Sequence, residues 1–120
     1  MKMLPIAAIM LMLLPSISSA YTHEIHSGYT AGVTLKEYES LWMTGGGVGG
    51  IDLYAHSSAK IEGTSDLIQG SGGIWDIMAA GYSHLDFYGG EVHQLGMGSY
   101  ATATLKGGRI DYLRSGQGVG

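Results

Sequence analysis

The sequence predicts an all-β fold, a short single-stranded parallel β-helix (β-solenoid) of about four coils preceded by a signal helix. Three observations carry this. A phrase beginning Tyr82-Ser83-His84-Leu85-Asp86-Phe87-Tyr88-Gly89-Gly90-Glu91-Val92 returns eighteen residues later as Tyr100-Ala101-Thr102-Ala103-Thr104-Leu105-Lys106-Gly107-Gly108-Arg109-Ile110. Within each copy, apolar residues alternate with polar ones before the glycines, as in a half-buried strand. The glycines themselves fall at fixed phase, where a chain turning a corner needs small residues and positive φ. One backbone coil, repeated and stacked, meets all three demands.

The elements follow in order. Residues 1–20 read as an export signal. Lys2 gives the positive start, residues 3–14 are apolar, and Ser18-Ser19-Ala20 supplies small residues for cleavage. That apolar run is too short to span a bilayer, and Pro15 ends it. Residues 21–37 read as an N-terminal cap of low regularity, a degenerate coil whose His23, Ile25, Gly28 and Val33 stand eighteen residues before Leu41, Met43, Gly46 and Ile51.

Residues 38–113 hold the repeats. The apolar residue after each glycine pair is Val48, Ile74, Val92 and Ile110, so the steps are 26, 18 and 18 residues. Two inward columns precede the corner, Leu41/Ala59/Leu85/Ala103 and Met43/Ile61/Phe87/Leu105. An aromatic column, Tyr38/His56/Tyr82/Tyr100, precedes each strand. The long step places an eight-residue insertion at 64–71, between Gly63 and Gly72, a place where solenoid loops are pushed outward. Residues 114–120 form a Gly-rich tail that starts no new coil. The last coil therefore predicts an open apolar cross-section with unpaired backbone groups, to be covered by another copy, by a partner or by sequence beyond this chain.

Composition narrows the function classes. The chain has no cysteine and no asparagine, so disulfides, thiolate metal sites, a lipid-modified cysteine and N-linked glycans are excluded. Without residues 1–20 it carries five basic and ten acidic residues. The basic ones are scattered, which argues against nucleic acid and anionic membrane as partners. No second long apolar stretch follows the signal, so no transmembrane segment is expected after cleavage, and a secreted, extracellular or periplasmic product is.

The unit Ser83-His84-Leu85-Asp86-Phe87-Tyr88-Gly89-Gly90-Glu91-Val92 resembles the eighteen-residue β-helix repeats of large exported bacterial proteins, many of which carry a C-terminal sorting tail. The resemblance spans about residues 38–113 and implies a right-handed parallel β-helix of triangular section. The stacked asparagine of that pattern is replaced here by Trp42, Lys60, Asp86 and Thr104, and no sorting tail follows Gly120.

Candidate chemistry is sparse. Gly45-Gly46-Gly47-Val48-Gly49-Gly50 matches a dinucleotide fingerprint in letters, but it falls on a repeat corner with no helix after it. Asp52, Asp76 and Asp111 share no column, so ordered calcium arrays are not expected. Thr102 and Thr104 have no threonine partners in the other coils, so there is no ice-binding ladder. His84 with Asp86, and Glu91 with His93, lie outward near one corner, where carboxylate–histidine pairs act as acid and base in polysaccharide enzymes and otherwise are solvated surface. Trp42, Tyr54, Trp75 and Tyr88 are candidates to stack on sugar rings. After cleavage, Tyr21-Thr22-His23 has the third-position imidazole that wraps Cu(II) or Ni(II). No cofactor is expected. The expected function is that of an exported, non-enzymatic module with a structural, adhesive or self-assembling surface. The competing expectation is a carbohydrate-binding or polysaccharide-degrading β-helix module.

Overall fold

The computed structural model describes residues 21–115; the signal reading of residues 1–20 and the tail 116–120 lie outside them. Every element among the described residues is a strand: β1 (His23–Ile25), β2 (Tyr29–Thr30), β3 (Val33–Leu35), β4 (Ser40–Met43), β5 (Gly47–Leu53), β6 (Ser58–Ile61), β7 (Gly73–Ala79), β8 (His84–Phe87), β9 (Glu91–Met97), β10 (Thr102–Leu105) and β11 (Arg109–Ser115). They build two parallel sheets, β1-β4-β6-β8-β10 and β2-β5-β7-β9-β11, with β3 also on β5. Each coil contributes one short strand to the first sheet and one longer strand to the second. The protein is therefore a parallel β-solenoid.

Register follows the sequence columns. Leu41 pairs with Ala59, Ala59 with Leu85 and Leu85 with Ala103. Ile51 pairs with Ile77, Ile77 with Leu95 and Leu95 with Leu113. Like residues lie over like, and the inner residues Leu41, Met43, Val48, Ile51, Ile61, Ile74, Ile77, Leu85, Phe87, Val92 and Leu95 are completely buried. Burying such a side chain stabilises by roughly 1.5–3 kcal/mol, which a lone coil, open on both sides, does not obtain.

The first sheet has five strands, one more than the four coils expected. The extra coil is the segment 21–37, read as a cap of low regularity. It is regular in register: His23 pairs with Leu41, Tyr29 with Gly47 and Val33 with Ile51. Its irregularity is confined to the second sheet, where the run is split into β2 and β3 around Ala31-Gly32.

At the opposite end β11 runs on through Arg114 and Ser115, two residues assigned to the tail by sequence. This last described coil is the open one. Leu105 is 45% exposed and Leu113 60%, although their column neighbours Phe87 and Leu95 are fully buried.

The insertion begins where expected. Ser65 donates its backbone N–H to Gly46 O, so the chain first follows the corner below it and only then departs. An antiparallel bridge between Ile68 and Gly72 closes the excursion, with Gly70 at φ 82° in the turn. Leu67 folds back on the Gly73 corner, whereas Ile68 stays 59% exposed.

The return turns before the first-sheet strands each contain one left-handed residue: Tyr38, Ala55, Gly81 and Ser99, with φ of 60°, 51°, 66° and 22°. Only Gly81 adopts this without strain. Substituting Ala55→Gly is accordingly expected to raise stability by about 0.5–1 kcal/mol, because relief of left-handed strain exceeds the added chain entropy. A higher thermal midpoint than the parent protein is the readout.

Candidate functional surface

Buried apolar side chains fill the interior of the described coils, so their polar chemistry is on the outer faces. The sequence-selected residues divide between them. Trp42, His84 and Asp86 lie on the first sheet, Trp75, Glu91 and His93 on the second, and Tyr54 and Tyr88 in the connections. The structure does not bring the eight together.

His84 and Asp86 do meet. Residues two apart on a strand share a face, and His84 Nε2 lies 2.8 Å from Asp86 Oδ1. Its other nitrogen, Nδ1, is 2.6 Å from Thr102 Oγ1 on the next coil. A histidine bonded through both nitrogens, one of them to a hydroxyl on the next coil, ties neighbouring coils together. The same device occurs at His26, which bonds Glu24 Oε1 at 2.8 Å and Thr44 Oγ1 at 2.6 Å. Sequence reading missed this second copy, although Thr44 and Thr102 each follow the histidine by eighteen residues, a spacing visible in the repeat.

Glu91 and His93 share the outward side of β9 but serve different neighbours. Glu91 holds the insertion: its carboxylate accepts the Leu67 N–H at 2.6 Å, and its own N–H donates to Thr64 Oγ1 at 2.9 Å. His93 stacks on Trp75 with ring centroids 3.9 Å apart and planes 13° apart, and faces Asp111 Oδ2 at 3.5 Å.

The aromatic column of the return turns is a continuous ladder. Tyr38 stacks on His56 at 5.1 Å, His56 on Tyr82 at 5.3 Å and Tyr82 on Tyr100 at 4.8 Å, all within 9° of parallel. These separations approximate the rise between strands, so the coil spacing itself sets the stack. The rings cover one another's faces and present edges to solvent. Glu37 clamps the ladder at His56, accepting from its backbone N–H at 3.0 Å and meeting Nδ1 at 2.6 Å.

The side-chain hydrogen bond with His56 holds the Glu37 carboxyl below its ordinary value of 4.5. A depressed carboxylate stabilises the fold above its unfolded pKa and loses that contribution as pH falls through the folded value. The difference in thermal midpoint between the parent and Glu37→Gln is therefore expected near neutral pH and should vanish below the folded pKa; thermal melts across pH check this.

The remaining aromatics are largely committed. Trp42 donates Nε1–H to Glu62 Oε1 at 2.6 Å and packs against Tyr21 and His26. Tyr88 has lysine ammonium groups at 5.8 Å from its centroid on two sides, from Lys60 and Lys106. Tyr54 lies beyond β5, 46% exposed.

The metal candidate Tyr21-Thr22-His23 lies at the start of the first described coil. His23 occupies the inward column over Leu41, and its Nε2 is buried without a hydrogen-bond partner. The Thr22 N–H donates to Ser40 Oγ at 3.2 Å, a bond that amide coordination would break. Among the described residues no group of three or more histidine and carboxylate side chains gathers to hold a metal. No helix among them is long and apolar enough to cross a membrane.

Comparison of the chain with family models, with curated proteins and with solved structures finds no match.

Proposed function

We propose that the protein is an exported, non-enzymatic scaffold, of the kind its eighteen-residue repeats resemble, that lengthens by adding a further copy end to end. The observation carrying this reading is the last described coil. Leu105, Tyr112 and Leu113 are 45%, 58% and 60% exposed there, beside edges of β10 and β11 that pair with no further strand among the described residues. An edge of parallel strands beside apolar surface is a template for more strands.

Charge favours a head-to-tail arrangement. Lys106, Arg109 and Arg114 concentrate on the last coil with a single acid, Asp111, whereas the first coil carries Glu24 and Glu37 against Lys36. β1 and β2 are edge strands at that first coil. A contact between unlike ends is heterologous, and repeated along one solenoid axis it generates an open filament. The signal-like residues 1–20 support export, and the histidine ties between coils support a rigid scaffold.

The test is light scattering of the protein beginning at Tyr21, over a range of concentrations. Mass should grow with concentration, and Leu113→Lys should abolish growth while leaving the circular dichroism of the sheet intact. A constant monomer mass at all concentrations overturns the proposal.

A further inference from the structure

Every stacked corner has a glycine just after a first-sheet strand ends. Gly45 follows β4, Gly63 follows β6, Gly89 follows β8 and Gly107 follows β10. A Cβ at these positions would lie 2.6, 2.9, 2.7 and 2.4 Å from the carbonyl oxygens of His26, Thr44, Glu62 and Tyr88, each on the preceding coil. Even favourable contacts between unbonded carbon and oxygen settle at about 3.3–3.6 Å. Positive φ is confined to other glycines, so space and not backbone conformation demands glycine at these four corners.

The first described coil breaks this rule. β1 ends at Ile25, and the residue at the same phase is Ser27. Ser27 is exposed, and no described coil precedes it. Its neighbour Gly28 has nothing within 4 Å of its Cβ position. Within one chain the serine is therefore tolerated. Adding a copy in register changes that. β1 then lies on β10 of the preceding copy, and the columns continue with Ile25 over Leu105 and Val33 over Leu113. The carbonyl brought against Ser27 is that of Lys106, which stands to it as His26 stands to Gly45 and Tyr88 to Gly107.

We propose that Ser27 is a built-in brake on end-to-end addition, its Cβ holding the joint between copies apart at a corner that coils of one chain close on glycine. This rests on the end-to-end reading and adds its control. Rotating the side chain does not relieve the contact, because the Cβ is fixed to one backbone and the carbonyl belongs to another. The corner has to open, and overpacking of this kind weakens a contact by roughly tenfold to a hundredfold. The joint is thus weaker than the contact between coils of one chain. Copies separate when dilute and join where they accumulate.

The test compares Ser27→Gly, Ser27→Ala and Ser27→Val in the protein beginning at Tyr21. Light scattering gives the concentration at which the mean mass has doubled. Ser27→Gly should lower that concentration by about tenfold or more. Ser27→Ala should stay near the parent value, because the Cβ and not the hydroxyl makes the contact. Ser27→Val should raise it. Adding Leu113→Lys to Ser27→Gly should abolish growth, which places the gain at the same joint. Circular dichroism of the sheet should be unchanged throughout, since Ser27 is exposed. Growth in the parent that Ser27→Gly leaves unchanged overturns the brake while the end-to-end reading stands. A gain in Ser27→Ala equal to that in Ser27→Gly assigns the effect to the hydroxyl and also overturns it. No growth in either the parent or Ser27→Gly overturns both.

Discussion

Replacing Phe87 with alanine is expected to destabilise the protein by about 3–5 kcal/mol, the largest effect of any single side-chain truncation in this core. Phe87 is the one phenylalanine in the chain and is completely buried. It is paired with Ile61 on one side and Leu105 on the other, so its ring fills the interior where two corners stack. A coil cannot move inward to close the cavity without breaking register with both neighbours, and relaxation is correspondingly small. Chemical denaturation should show a lower midpoint with the slope preserved. Phe87→Leu should recover much of the loss. A cost under 1 kcal/mol for Phe87→Ala would mean that the ring is not in a stacked interior.

The second large effect is at a corner. Gly46 has φ 80°, and a Cβ placed there would lie 2.7 Å from Gly28 O and 2.8 Å from Ser27 C of the preceding coil. Those are backbone atoms held by their own ladder, and they cannot turn aside. Gly46→Ala is expected to cost about 2–5 kcal/mol, combining left-handed strain with overpacking. Gly28 is the matched control. Its φ is 76°, yet nothing lies within 4 Å of its Cβ position, because no described coil precedes it. Gly28→Ala should cost only the strain, about 1–2 kcal/mol. The difference between the two measures the closeness of stacked corners.

The fold was largely legible because a solenoid repeats its errors and its signals alike. Leu41, Ala59, Leu85 and Ala103 announce an inward column without any knowledge of what they touch, and the structure pairs them in that order. The extra eight residues after Gly63 were legible for the same reason. What the period could not reveal is what happens where outward side chains from different coils meet. Trp75 and Asp76 both point outward in succession, which breaks strand alternation and hides the bend. Gln94 meets Asp76 only because register sets the two side by side on neighbouring strands. His23 is the instructive case: as the third residue after an expected cleavage it suggests a metal ligand, but its eighteen-residue step to Leu41 places it in the inward column. Glu91, chosen as a polar surface residue, holds the inserted loop through a backbone amide that no sequence pattern advertises.

All of these expectations rest on adjacent coils being parallel and in register, and the absence of cysteine permits a direct measurement of that. Ser40 and Ser58 are paired positions on neighbouring strands, whereas Ser40 and His84 are separated by the intervening β6. Adjacent paired strands bring Cα atoms to about 5 Å, within disulfide range, and strands two apart to about 10 Å, beyond it. Under mild oxidation, Ser40→Cys with Ser58→Cys should form an intramolecular disulfide readily in the folded protein, and Ser40→Cys with His84→Cys should not. Efficient closure of the second pair in preference to the first would contradict the stacked-coil account.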